Sequence, residues 1–95
     1  MKPLLLSPIV ALSLALASPA AAQCFADYKA KQDAPLRLHY GVIELSGACK
    51  KRPARREIAD RLAADGWTLL NVISTFGPEG LDERKANAGP YYLRY

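Results

Sequence analysis

Asp60-Arg61-Leu62-Ala63-Ala64-Asp65-Gly66-Trp67-Thr68-Leu69-Leu70-Asn71-Val72 is the stretch in which a helical spacing of apolar residues gives way to an extended one. Reading back from Leu62, apolar residues recur three or four apart at Ile58 and Ala54, with Ala63 beside them, on a body rich in helix-favouring Ala and Arg. Pro53 suits a first helical turn, and Glu57, four residues before Arg61, adds a favourable surface pair. The pattern predicts a helix from Pro53 to Asp65. Gly66 can take the positive φ that ends a helix, and Trp67 directly after it can plug the junction between helix end and sheet. A helix of about three turns is marginal alone and must dock on a sheet.

Reading forward, Trp67 to Phe76 is a strand that is apolar on both faces, with Trp67, Leu69 and Ile73 pointing one way and Leu70, Val72 and Phe76 the other. Such strands are usually covered on both sides, which predicts a central place in the sheet. The helix covers one face; the other is expected to be covered by the N-terminal arm, with Phe25 and Tyr28, or by a second copy of the protein. Gly77 to Pro90 opens with Gly-Pro and closes with Gly-Pro, and it carries Glu79, Asp82 and Glu83 ahead of Arg84 and Lys85. That charge order suits a loop with one or two helical turns. Tyr91 to Tyr95 reads as a final strand.

Before the helix, Leu36 to Leu45 alternates Leu38, Tyr40 and Val42 with Arg37, His39 and Gly41, the period of a strand with one buried face, and it ends at Ser46-Gly47. Gln23 to Pro35 is polar and mixed, and it reads as an arm. The order strand, helix, strand, strand predicts a two-layer α+β domain of βαββ type over residues 36–95. In it one main helix lies on a three-stranded mixed sheet, with a parallel right-handed crossover and an antiparallel last strand.

Leu62, Gly66, Trp67, Leu69 and Leu70, preceded by Tyr40-Gly41-Val42-Ile43 and closed by Leu93-Arg94, resemble a family of short bacterial βαββ domains of unknown function. Members end the helix with Leu and enter the next strand through Gly-Trp-Glu-Leu-Val; Thr68 stands where the family has Glu. The resemblance covers residues 38–95 and implies a fold, with no activity attached. The chain is also similar to small exported hypothetical proteins of alphaproteobacteria.

The N-terminal end places the protein. Lys2 is the one charge ahead of an apolar run from Leu4 to Ala17, and Ala20-Ala21-Ala22 supplies a small-residue cleavage box before Gln23. Met1 to Ala22 therefore reads as a secretory signal peptide cut between Ala22 and Gln23, which predicts a periplasmic or secreted protein. A retained transmembrane anchor is disfavoured because Pro8 and Pro19 interrupt a run shorter than a bilayer span. A lipoprotein signal is disfavoured because Gln23, not a small residue, precedes Cys24.

Cys24 and Cys49 are the only two cysteines, and an exported chain meets an oxidising compartment, so an intramolecular disulfide is expected. Their spacing is unlike a redox Cys-x-x-Cys pair. A domain this small has a marginal core, and closing that loop is worth roughly 3.5 kcal/mol in the chain-entropy view.

Catalytic parts are scarce. His39 is the only histidine, the cysteines are engaged, and Gly77-Pro78-Glu79-Gly80 has neither the spacing nor the charge of a phosphate loop. Asp82 with Glu83, and Asp60 with Glu57, read as solvated surface carboxylates. His39 is expected on the surface, facing away from the helix. No catalytic site, cofactor or metal is expected.

Lys50, Lys51, Arg52, Arg55 and Arg56 place five positive charges in seven positions with no acid among them. Positive charge at a helix start opposes the helix dipole by ~0.3–1 kcal/mol per residue, so the run has no evident stabilising motive there. Export removes a nucleic-acid reading. Two uses remain open: a non-catalytic interaction module that docks onto an envelope protein or onto itself, and adhesion of the basic run to anionic lipid or polymer.

Overall fold

A computed structural model describes residues 23–95, and the expected signal peptide lies outside the described residues. The elements are β1 (Cys24–Gln32), β2 (Arg37–Leu45), α1 (Lys51–Ala63), β3 (Thr68–Phe76) and α2 (Asp82–Ala88), with 3-10 turns at Pro78–Gly80 and Gly89–Tyr91. They form a small α+β domain around a three-stranded antiparallel sheet in the order β2-β1-β3.

The stretch read as an arm is the central strand. Along β1, Cys24, Ala26, Tyr28 and Ala30 face α1 and are buried, while Phe25 and Asp27, also buried, face the other way with Lys29. Small Cys and Ala on one face, interleaved with charges on the other, mute the apolar alternation that marks a strand, and the short link Asp33 to Leu36 then folds β2 back beside it. β2 and β3 both run antiparallel to β1. They therefore share a direction and are joined through α1, but β1 lies between them. The two strands joined by the helix are parallel to each other as expected, but every pairing within the sheet is antiparallel, so the expected mixed sheet does not form.

β3 accordingly sits at an edge of the sheet and not at its centre. Its apolar residues on both faces have a different cause. Register shifts between Asp27 and Tyr28 and between Lys29 and Ala30 leave Ile73 and Leu70 as extra residues in β3, so its alternation is broken twice. Val72, opposite Tyr28, faces α1; Ser74, opposite Asp27, and Phe76, opposite Phe25, face α2.

Tyr91 to Tyr95 is not a strand. The chain passes through a 3-10 turn at Gly89–Tyr91 and makes a single parallel bridge, Val42 to Tyr92, with the Leu93 N–H donating to Val42 O at 2.8 Å. Tyr91 and Tyr95 turn onto the α1 side, where they stack over His39. The segment so caps the outer edge of β2.

The main helix lies where its periodicity placed it, shifted two residues toward the N-terminus. Ala54, Ile58 and Leu62 are fully buried against Tyr28, Ile43 and Val72, and burying each of the larger aliphatic side chains is worth ~1.5–3 kcal/mol. Gly66 has φ +82°, the Trp67 N–H donates to Leu62 O and the Gly66 N–H to Ala63 O, both at 3.0 Å. This is the paired hydrogen-bond closure of a helix end that a glycine permits, and Trp67 is buried directly after it. Cys24 and Cys49 stand at disulfide distance, with Cα atoms 5.7 Å apart, and tie the start of β1 to the approach of α1.

The face of the sheet opposite α1 is covered in part by α2. Asp27, only 5% exposed, accepts hydrogen bonds from Tyr40 Oη at 2.8 Å, Ser74 Oγ at 2.7 Å and Arg84 Nε at 3.1 Å. Arg84 also stacks over the Phe76 ring at 4.0 Å and donates to Gly80 O. Burial by itself raises the Asp27 pKa, but the bonds from Ser74, Tyr40 and Arg84 and the guanidinium charge outweigh it and hold the carboxyl below its usual value.

Candidate functional site

The basic run begins at the N-cap of α1. Lys50 has an extended backbone, no side chain caps the helix, and its first turn carries no acid. Lys50, Lys51, Arg52, Arg55 and Arg56 are all exposed, and among the described residues none pairs with a carboxylate. The helix separates them. Lys51, Arg52 and Arg55 line, with Val72 of β3, a depression of about 380 Å³; Lys50 and Arg56 are not among its lining residues.

Glu57, the nearest acid in sequence, faces the other side. It takes the Ser46 and Gly47 N–H groups at 2.8 and 3.0 Å and Arg61 at 2.7 Å. Burial raises its pKa, and these bonds with the Arg61 charge bring it below the usual value. Arg61 continues to Glu44 O and to the backbone oxygen of Tyr95. One flank of α1 is thus knitted to β2 and the C-terminal segment, and the flank toward β3 is left with uncompensated cations.

His39 is not on the surface. It is 8% exposed and faces α1, opposite to expectation, because β2 turns His39, Gly41, Ile43 and Leu45 to the helix side and leaves Leu38 outside. Its ring stacks on Tyr91 with centroids 3.7 Å apart and meets Trp67 edge-on at 4.3 Å. His39 Nε2 shares a hydrogen bond of 2.9 Å with Tyr28 Oη, and Nδ1 is buried without a partner. Burial, and then the nearby charge of Arg94, pushes the imidazole down to about 4, so it is neutral near pH 7. The carboxylate of Asp27 lies across the sheet, held by three donors. His39 therefore sits in a core of aromatic rings, and among the described residues no carboxylate is hydrogen-bonded to it as in an acid–base pair.

A second depression, of about 260 Å³, is bordered by Lys29, Leu38, Tyr40 and Leu70, with Ala30 and His39 also contributing to its lining. Leu38 is 65% and Leu70 45% exposed. Leu38 was expected to be buried; α2 covers the half of this sheet face around Asp27 and Phe76, and among the described residues nothing buries the half that carries Leu38 and Leu70. Ser74, Tyr40 and Arg84 around Asp27 carried no local signal in the sequence, since the residues of this cluster lie between 13 and 57 positions away from Asp27.

Among the described residues no group of three or more His, Cys, Asp or Glu side chains is placed to hold a metal ion, and no helix is long and apolar enough to cross a membrane. No protein-family model, curated protein or solved structure matches the chain.

Proposed function

We propose that this protein is a small non-catalytic interaction module that works in the periplasm or outside the cell and docks a protein partner on the sheet face opposite α1. The observation that supports it is the bare half of that face, where Leu38 and Leu70 border an apolar depression about the size of one or two side chains. Exposed apolar side chains gathered at one depression, here Leu38 of β2 and Leu70 of β3 on either side of Lys29 of the central strand, are characteristic of contact sites. The leader-like segment Met1 to Ala22 and the Cys24 and Cys49 pair support an oxidising location. Leu38→Ser leaves the core untouched and should abolish capture of a partner from envelope extract, with the thermal midpoint unchanged; capture that persists at full strength removes the reading.

A second reading, adhesion to an anionic envelope lipid or polymer, is favoured by the unpaired cations Lys51, Arg52 and Arg55 grouped around one depression, flanked by Lys50 and Arg56. It requires salt-sensitive binding to anionic vesicles that disappears when the five become Ser. Binding unchanged by those substitutions counts against it.

A further inference from the structure

The two edges of the sheet are treated differently. The outer edge of β2 is capped by Tyr92 and Leu93, whereas β3 pairs only with β1 among the described residues. Edge strands are commonly protected by charged residues or proline. Thr68–Phe76, with the sequence TLLNVISTF, contains neither. Its bulges at Leu70 and Ile73 prevent a long flat edge, which limits runaway stacking but leaves short stretches with unpaired backbone groups.

The two sides of that edge differ in chemistry. On the α1 side, Lys51, Arg52 and Arg55 stand around Val72, the middle residue of β3. On the opposite side lies Leu70, next to the apolar depression. A strand added to β3 would send alternate side chains to these two sides. We propose that the open edge of β3 takes up an extended segment of a partner protein in which acidic residues alternate with apolar ones, the acidic side chains meeting Lys51, Arg52 and Arg55 and the apolar ones lying beside Leu70. This rests on the reading of the protein as an interaction module and specifies its partner.

Charge decides against a second copy as the occupant. An antiparallel pairing of β3 with itself centred on Val72 places both helices on one side of the joined sheet. Six uncompensated cations would then face one another across the two-fold axis, an arrangement that disfavours the pair. The same cations attract a strand of opposite charge, and main-chain hydrogen bonding supplies affinity without demanding a particular sequence.

The oxidised protein, isotope-labelled, is titrated at low and high salt with a blocked nine-residue peptide alternating Glu and Val, with its Lys and Val counterpart, and with a Glu and Val peptide carrying a central proline. The expected result is binding of the first peptide alone, slowed hydrogen exchange at the β3 amides not bonded to β1, and affinity at least about tenfold weaker in the Lys51→Ser, Arg52→Ser, Arg55→Ser variant. Absence of binding, equal binding of the Lys peptide, or binding without protection of β3 amides overturns the proposal. So does protection of those amides that rises with protein concentration when no peptide is present, which would make a second copy the occupant. Leu38 is two strands away from this edge, so loss of partner capture in Leu38→Ser together with no peptide effect at β3 removes strand addition and keeps the module.

Discussion

Tyr28 and Gly41 lie directly opposite each other on β1 and β2, and the missing side chain of the glycine is the space the tyrosine ring occupies: a Cβ at Gly41 would fall inside the Tyr28 phenol. This lets a fully buried tyrosine lie flat across the neighbouring strand and bring its hydroxyl to His39. Sheet geometry, aromatic packing and the position of the only histidine are thereby linked through one glycine.

Gly41→Ala should be among the most damaging small substitutions. The added methyl meets ring carbons with no room to retreat, and overpacking of this kind destabilises by about 1–3 kcal/mol or more. Urea unfolding should show the loss. In a Tyr28→Leu background the same substitution should cost less, and equal losses in both backgrounds would show that the ring is not the obstacle.

Stability should fall as the solution is acidified through the range of His39. Its pKa drops from 6.5 in the unfolded chain to about 4 in the fold, so between these values the unfolded state binds the proton first. The contribution is complete above about pH 6.5, declines below it and is gone near pH 4, and it amounts to roughly 3 kcal/mol by the size of the shift. Tyr28, Trp67, Tyr91 and Tyr95 surround the ring and Arg94 lies nearby; Asp65 is engaged by the Tyr95 hydroxyl at 2.9 Å, and among the described residues no carboxylate bonds the ring to accommodate an imidazolium. Unfolding free energies at pH 7, 5 and 4 should show this slope, and His39→Phe should flatten it; an unchanged slope in the variant would assign it to other groups.

Asp27→Ala should destabilise by about 2–4 kcal/mol, because it leaves the Tyr40 hydroxyl, the Ser74 hydroxyl and Arg84 Nε without their shared partner. Release of α2 from the sheet would appear as faster amide exchange in Asp82–Ala88 before the rest of the domain opens. Exchange that rises equally everywhere would mean that α2 is held by other contacts.

Reduction of the Cys24 and Cys49 pair should lower stability by about 3.5 kcal/mol, the chain-entropy value for a separation of 25 residues. The comparison of oxidised protein with a Cys24→Ser, Cys49→Ser variant in urea measures it. A free thiol titration of two per chain in the untreated protein would show that the pair is not closed.

The elements legible in the sequence are those whose evidence is local. Ala54, Ile58 and Leu62 mark a helix because neighbours on a helix face are three or four residues apart, and Gly66-Trp67 marks its end because positive φ is a property of one residue. β2 was legible as a strand but not in its orientation. Leu38, Tyr40 and Val42 alternate with Gly41, Ile43 and Leu45, both sets contain fully buried residues, and the set that faces α1 is the one whose glycine admits the Tyr28 ring. β1 was hidden because Ala26 and Ala30 bury completely while contributing little hydrophobic signal, beside charges at Asp27, Lys29 and Lys31. Of the basic run, the charge was legible and the arrangement was not: the grouping of Lys51, Arg52 and Arg55 around Val72 depends on which flank of α1 overlies β3.

The amino-acid sequence by itself determined the main helix, the Gly66-Trp67 junction, the two strands beside it and the charge of the run at the helix start, since each depends on residues a few positions apart. Tertiary structure alone decided that β1 is the centre of the sheet, that His39 is buried among aromatic rings and that β3, among the described residues, pairs on one side only. Those outcomes are comparisons between segments far apart in the chain, in which pairing, packing and charge compete for the same surface, and no local pattern records which of them wins.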